Sequence, residues 1–481
     1  VIDMAGITKI EDYAFEGCQS ENIINTGDIT SCSKKSFYGY PVLFNEQKYM
    51  NGVFTIDNRI LVAVNDDSVV EIPRDINVAV DNLSFGEDDN KEVIIYDINQ
   101  LRYIPGIKGK LTIKDTAYLT FLQMQDILNY ACRVKELNIV DNPFYCTVNN
   151  AVFTKDKKVL VYFQNNIKGR YEIPEGTETI WDNAFYGASL SSVKLPESLC
   201  YIHANAFCEC KLSAVEFNHT MTHFEQCCGN GIFSSCGTFS ELEIPGYVKS
   251  LSKNMFSNSK INKLVLNEGL ESIESGALSG YMAQEITLPK SLKYVGNYNF
   301  SQATVIHVTG KRVPYGLLKA VMSTYSYRKD DSEIIITLIV NDKTYYLPRH
   351  MPSKLAARLD ELFSFYDVVP EDEIDGLFQK DGMNAIDKSL RQDMMICLYD
   401  ITKKDCYKQL LKNAKKSIVK RLFENGDEKQ LIRFFSFGFF ASKSLDNFIK
   451  LASEKEMVVL VSYLLEEQKK KSPKKSTKFN I

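Results

Sequence analysis

Histidine and tryptophan are scarce in this chain: its 481 residues hold five His and one Trp. Acid–base catalysis near neutral pH leans on histidine more than on any other side chain, so few ready-made catalytic bases are present. Long apolar runs are also missing. The longest, residues 334–340 (broken by Thr337) and 457–465 (broken by Ser462), fall well short of a membrane span of about 18 residues. Charge of one sign is not in excess either, since 57 Lys and Arg face 61 Asp and Glu for a net charge of −4. That balance excludes a globally basic nucleic-acid binder and leaves only a local patch open. No basic-then-apolar leader opens the chain; it begins at Val1, which leaves open a signal peptide removed upstream. Neither a Gly-x-Ser-x-Gly elbow nor a phosphate-binding glycine loop occurs. At 44% apolar and 25% charged, the composition is that of a globular protein.

Phenylalanine is plentiful, with 28 residues, and part of that surplus is periodic. An aliphatic residue, three others, then a small residue and Phe recur at Ile10/Ala14–Phe15, Ile180/Ala184–Phe185 and Ile202/Ala206–Phe207. Looser copies end at Phe37, Phe85, Phe233, Phe256, Leu278 and Phe300, giving spacings of 22, 48, 100, 22, 26, 23, 22 and 22. The two wide gaps would hold degenerate units. Between the marks lie short alternating segments ending in Pro or Asn, such as Val193/Leu195–Pro196, Leu242/Ile244–Pro245, Leu264/Leu266–Asn267 and Ile286/Leu288–Pro289. Alternation turns the outer aliphatics inward and the middle residue outward. Proline cannot donate to a ladder and ends the pairing. Each unit is therefore expected to be one turn of a solenoid, stable only when stacked on its neighbours.

The fullest phrase, carried by Leu190, Val193, Leu195, Pro196, Leu199, Ile202, Ala206 and Phe207, resembles the BspA-type leucine-rich repeat family. A longer insert typical of that family occurs twice, beginning at Asn51 and Asn150, with Val-Phe-Thr triplets 99 residues apart. The resemblance covers about residues 1–310 and is weakest at 86–143. It implies a parallel-sheet solenoid that binds other macromolecules, often as an adhesin, and it brings no catalytic residues.

The pattern breaks after Val308. Residues 334–340, a turn at Asn341–Asp342, and 345–347 are expected to form a β-hairpin. Beyond Pro348 and Pro352 the period becomes helical, with Tyr407, Leu410, Leu411, Ala414, Ile418 and Leu422 on one face. Pairs twelve apart, Leu398/Leu410, Phe423/Phe435 and Ala452/Leu464, bracket short breaks, and residues 451–466 resemble the two-helix half of an ankyrin repeat without its Thr-Pro-Leu-His opening. The fold expected is α+β: a leucine-rich-repeat solenoid at 1–310, a connector with a β-hairpin at 311–350, a helical ankyrin-like domain at 351–468, and a Lys-rich disordered tail at 469–481.

Register singles out a candidate surface. The outward middle residues are Glu172, Lys194, Glu216, Glu243, Val265 and Thr287; two residues earlier stand Arg170, Ser192, Ala214, Glu241, Lys263 and Glu285. In a solenoid such columns line one sheet face. Glu216, Glu241 and Glu243 predict an acidic centre that prefers a basic partner, although exposed charge alone is also what an ordinary solvated face carries. Twelve cysteines invite a metal reading, concentrated in residues 200–236 at Cys208, His219, His223, Cys227 and Cys228. Cys18, Cys210 and Cys236 instead fall three residues after a repeat Phe, as small core residues would, and Cys208-x-Cys210 is tighter than ordinary zinc spacing.

The leading expectation is a non-enzymatic interaction or adhesion module with a protein or other macromolecular partner, no cofactor and no membrane span. An enzyme or metal protein using residues 200–236 is the alternative. A third reading is anionic-surface binding through the Lys-rich tail, with nucleic acid disfavoured. The thiols and the helical end point toward the cytoplasm, the family resemblance toward the cell surface.

Overall fold

The alternating segments form short parallel strands in the computed structural model. It describes every residue except 82, 84, 86–89, 105, 121–122, 124–126, 128–133, 218–229, 323–333, 380–387 and 472–481. The chain divides into two compact units, Val1–Tyr281 and Met282–Ile481.

In the first unit, Gly169–Glu172, Leu190–Lys194 and Ala214–Glu216 lie parallel and in register, Tyr171 beside Val193 beside Val215. Leu242–Ile244 and Leu264–Leu266 pair the same way. Two-residue strands make a second parallel set on the returning arch, joining Ile180 to Ile202 and Leu251 to Ile273. The degenerate stretch keeps the sheet: Val69–Glu71, Glu92–Ile95, Lys110–Ile113 and Glu136–Ile139 are parallel neighbours, with Val70, Val93, Leu111 and Leu137 turned inward. There the buried Ile98, Leu101, Ile104 and Leu119 join Phe85 in the core behind the sheet.

The Phe marks form a ladder. Phe185, Phe207, Phe233 and Phe256 are fully buried, and consecutive rings stack 4.5, 5.0 and 5.1 Å apart at 16°, 14° and 11°. Phe15 and Phe37 repeat the geometry at 4.7 Å and 10°. One turn advances the backbone by one strand spacing, about 4.8 Å, which is also a favourable offset-stacking distance. Holding each Phe requires a sharp arch, and two residues before it the backbone is left-handed at Tyr13, Asn183, Asn205 and Asn254. Asparagine tolerates that conformation better than other residues with a Cβ. Three residues after the Phe, a small donor closes onto the preceding turn. The Cys210 thiol donates to the Phe185 carbonyl at 2.8 Å, Cys236 to Phe207 at 3.2 Å, and the Ser259 hydroxyl to Phe233 at 2.8 Å. Cys210 and Cys236 are core residues, as expected from their register, whereas Cys18 is only half-buried.

Both inserts are antiparallel hairpins, Val53–Ile56 with Ile60–Val64 and Ala151–Thr154 with Val159–Phe163. Asp57 and Asn58 take the left-handed turn in the first. The outgoing strand of each rejoins the arch set in parallel, Ile60 beside Val78 and Leu160 beside Ile180.

In the second unit, Glu285–Leu288 and Val305–Val308 continue the parallel pattern. The hairpin is present as Ile335–Val340 and Lys343–Pro348, with Asn341 and Asp342 at φ 53° and 58°, the two left-handed residues of a type I′ turn. It does not stand apart as a connector: its first strand pairs in parallel with Val305–Val308, and Ile336, Leu338 and Val340 bury one face. Arg349, at its exit, donates to the carbonyls of Ser301 and Ala303.

Helices follow: α1 (Leu317–Val321), α2 (Ser353–Phe365), α3 (Glu371–Gln379), α4 (Lys388–Thr402), α5 (Asp405–Glu424), α6 (Glu428–Ser436), α7 (Ser442–Glu454) and α8 (Val458–Lys471). The buried Asp360 carboxylate accepts the Gly316 and Leu318 amides at the start of α1. On α5, Tyr407, Leu411, Ile418 and Leu422 are buried as their spacing predicts, but Leu410 is 40% exposed, because it lies on the flank of that stripe and solvent reaches it. Ion pairs tie the helices: Arg421 to Asp393 and Arg433 to Asp400, each at 2.6 Å. Helices α7 and α8 supply the expected two-helix unit, which is a common enough arrangement that it does not by itself make the region an ankyrin array. Among the described residues no helix is long and apolar enough to cross a membrane.

Candidate functional site

The outward columns of the first unit carry interlocked charges. Glu172, Lys194 and Glu216 stand side by side on neighbouring strands, as do Arg170, Ser192 and Ala214 two residues earlier. Because Ser192 and Ala214 are short, the Arg170 guanidinium reaches across two strands. It grips Glu216 through two hydrogen bonds of 2.9 Å and also meets Glu172 at 2.9 Å. Lys194 lies 3.8 Å from Glu172. Further along, Lys263 pairs with Glu241 at 2.7 Å, and the Asn267 amide donates to Glu243 at 2.8 Å. The three glutamates therefore do not form a bare acidic patch: two are neutralised by a base two strands or one turn away, and the third is held by an amide. All these side chains are about half exposed where paired, so the pairs contribute order more than stability.

The candidates do not all fall in one sheet. Glu172, Lys194 and Glu216 share one; Glu243 lies in another, flanked by Glu241 and Lys263. Glu285 and Thr287 belong to the second unit, where His307 meets Glu285 at 2.8 Å and sits beside Thr287. The counter-cation Arg170 was visible in the sequence as a column residue; that it would span two strands depends on the small residues between, which only the register reveals.

Of the metal candidates, Cys208 is half-buried, with burial pushing its thiol up. His219, His223, Cys227 and Cys228 lie outside the described residues. Of the tail expected to be disordered from residue 469, residues 469–471 instead close helix α8, and 472–481 lie outside the described residues. No cluster of metal-ligating side chains is found among the described residues. Burial also pushes the Cys32 and Cys210 thiols to about 12, far from the thiolate a cysteine nucleophile needs. His203 is a surface residue 3.7 Å from Asp182.

Short parallel strands returned about every 22 residues by an arch closed over a buried Phe define a leucine-rich-repeat solenoid. The family described as BspA type leucine rich repeat region matches in six copies over residues 2–99, 161–228 and 228–311, slightly more than half of the chain, and the chain belongs to that family. The unmatched 100–160 interval overlaps the degenerate stretch and the first strand of the second hairpin insert, Ala151–Thr154. No curated protein matches the chain. Among solved structures, a leucine rich cell surface protein from Faecalibacterium prausnitzii A2-165 is 18% identical, over 44% of this chain and 62% of its own, with a TM-score of 0.29. This chain thus spans about 62% of that protein's length. A leucine-rich repeat protein from Eubacterium ventriosum is 13% identical over 71% of this chain and 85% of its own, with a TM-score of 0.31. The pneumococcal vaccine antigen PcpA is 14% identical over 64% and 78%, with a TM-score of 0.25.

Proposed function

We propose that this chain is a non-enzymatic interaction protein that binds a protein partner through the exposed sheet face of its solenoid. The contact residues would be Glu172, Lys194, Glu216, Glu241, Glu243 and Lys263, all in the first unit; Glu285 and Thr287 are a separate candidate pair on the sheet of the second unit. The observation that carries this reading is the register of the outward columns: mixed charges in ordered pairs, on a scaffold whose stacked rings leave little freedom. A rigid face of alternating sign favours a partner of complementary alternating sign over a uniformly basic one, because exchanging one set of ion pairs for another costs little desolvation while like charges in the wrong register repel.

The test immobilises the full chain, identifies the proteins it retains, and measures direct binding of the best-retained one to two charge variants. R170E/E216K/K263E on the face is expected to weaken binding at least tenfold. A charge-matched triple reversal on the exposed arch side, E16K/K211E/K253E, should leave it within twofold. Equal affinity of the face variant and the wild type would refute the assignment.

A further inference from the structure

The helical unit carries a second surface with its own chemistry. Between α5 and α7 runs an open apolar groove of about 370 Å³, more than twice the roughly 150 Å³ that holds a benzene ring in an engineered core. Its floor is aromatic. Phe423 on α5 stacks with Phe448 on α7 at 6.3 Å and 16°, and Phe440, from the loop between α6 and α7, meets Phe448 edge-on at 5.1 Å. Phe440 and Phe448 stay half-buried, so water covers part of each ring.

The rim is basic. Lys416 and Lys420 stand on the α5 side and Lys455 at the end of α7. Lys412 and Lys415 extend the same α5 face, above the rings of Phe439 and Phe440. Among the described residues Lys412, Lys415, Lys416 and Lys455 have no carboxylate partner, and the one acid on the rim, Glu424, lies 3.8 Å from Lys420 in an exposed pair. A run of cations beside a wet aromatic floor is a standing cost: the lysines repel one another and the rings remain hydrated.

We propose that this groove docks an acidic amphipathic helix of a partner protein, its apolar side chains seated on Phe423, Phe440 and Phe448 and its carboxylates facing Lys416, Lys420 and Lys455. Each half of the observation selects against another occupant. A nucleic-acid duplex uses the cations but keeps its bases paired and stacked inside, with nothing apolar to seat on a recessed floor. A membrane uses both, but through apolar groups that protrude rather than line a cleft. A helix with aliphatics at three- and four-residue spacing and acids between them satisfies floor and rim together. This site is independent of the solenoid face and stands or falls separately from it.

The test uses the full chain and a fluorescein-labelled designed helix of about 18 residues, with Leu at helical spacing and Glu between, followed by fluorescence anisotropy. A benzophenone at one Leu position maps the contact by photo-crosslinking. Binding is expected to weaken at least tenfold for K416E/K420E/K455E, with its helical circular dichroism unchanged, and at least tenfold when the peptide leucines become serines. Crosslinks should fall on α5 and α7. The proposal is overturned if the triple variant binds as the wild type does, if the serine peptide binds equally well, or if crosslinks map elsewhere. It is also overturned if a 20-base-pair duplex or phosphatidylserine vesicles bind more tightly than the peptide and lose that binding in the triple variant.

Discussion

Phe207→Ala would test the ring ladder at its centre. Phe207 is fully buried and contacts a ring on each side, Phe185 at 4.5 Å and Phe233 at 5.0 Å. Truncation removes the transfer energy of a whole phenyl group, leaves a cavity bounded by two rigid turns, and deletes two ring–ring contacts. Buried Phe→Ala changes cost about 3–5 kcal/mol, and the closed position of Phe207 puts the expectation near 4 kcal/mol. Phe207→Leu keeps most of the volume and loses only the ring contacts, for about 1–1.5 kcal/mol. The chain supplies its own probe: its one tryptophan, Trp181, lies in the turn before Phe185 and packs against the first unit's core. With a urea slope of about 3 kcal/mol per molar, 4 kcal/mol moves the Trp181 fluorescence midpoint down by about 1.3 M. A loss below about 1 kcal/mol, or one no larger than that of Tyr201→Ala at a 41% exposed position, would refute the claim that stacked rings hold the turns together.

Two other outcomes are expected. A double-mutant cycle on Arg170 and Glu216, read by the same Trp181 transition, should give a coupling of about 1 kcal/mol or less that shrinks further in 0.5 M salt, because the pair is half exposed; a coupling above about 2 kcal/mol would mean that the face is far better shielded than its exposure implies. Asp400 is raised by burial but lowered more by the hydrogen bonds and positive charges of Lys403 and Arg433 together, and its carboxyl ends below the ordinary 3.8. A depressed folded pKa stabilises the native state above the unfolded value, and that contribution is lost as pH falls through the folded pKa. The stability gap between wild type and D400N, measured by helical circular dichroism, should be constant from pH 7 to about 5 and close below pH 4; a gap unchanged at pH 3 would contradict the ion pair.

Much of this architecture was written in local pattern. The Phe marks, the alternating tripeptides, the two inserts and the Asn341–Asp342 turn each depend on neighbours within a few residues, so one sequence suffices to find them. What escaped depends on partners a turn or more away. Cys210 and Cys236 looked like small fillers, yet they donate to carbonyls 25 and 29 residues earlier, as the Ser259 hydroxyl does to one 26 residues earlier. Asn183, Asn205 and Asn254, two residues before Phe185, Phe207 and Phe256, were a visible signal for the left-handed arch, left unused. On the candidate face, the glutamates were legible one by one, but their neutralisation was not, since Arg170 meets Glu216 only after two strands align. Leu410 shows the limit of a pure period: on the edge of an apolar stripe, spacing alone does not decide between core and water.

The 22-residue return of the solenoid has a mechanical consequence. Drawn out straight, a turn of that length spans about 75 Å, yet in the stack it advances by a single strand spacing, about 4.8 Å. A chain pulled from its ends would therefore yield turn by turn, each ring slipping off its neighbour and releasing about 70 Å of slack before the next turn bears load. Such a molecule gives way gradually under tension where a single-core domain of the same size would snap open at once.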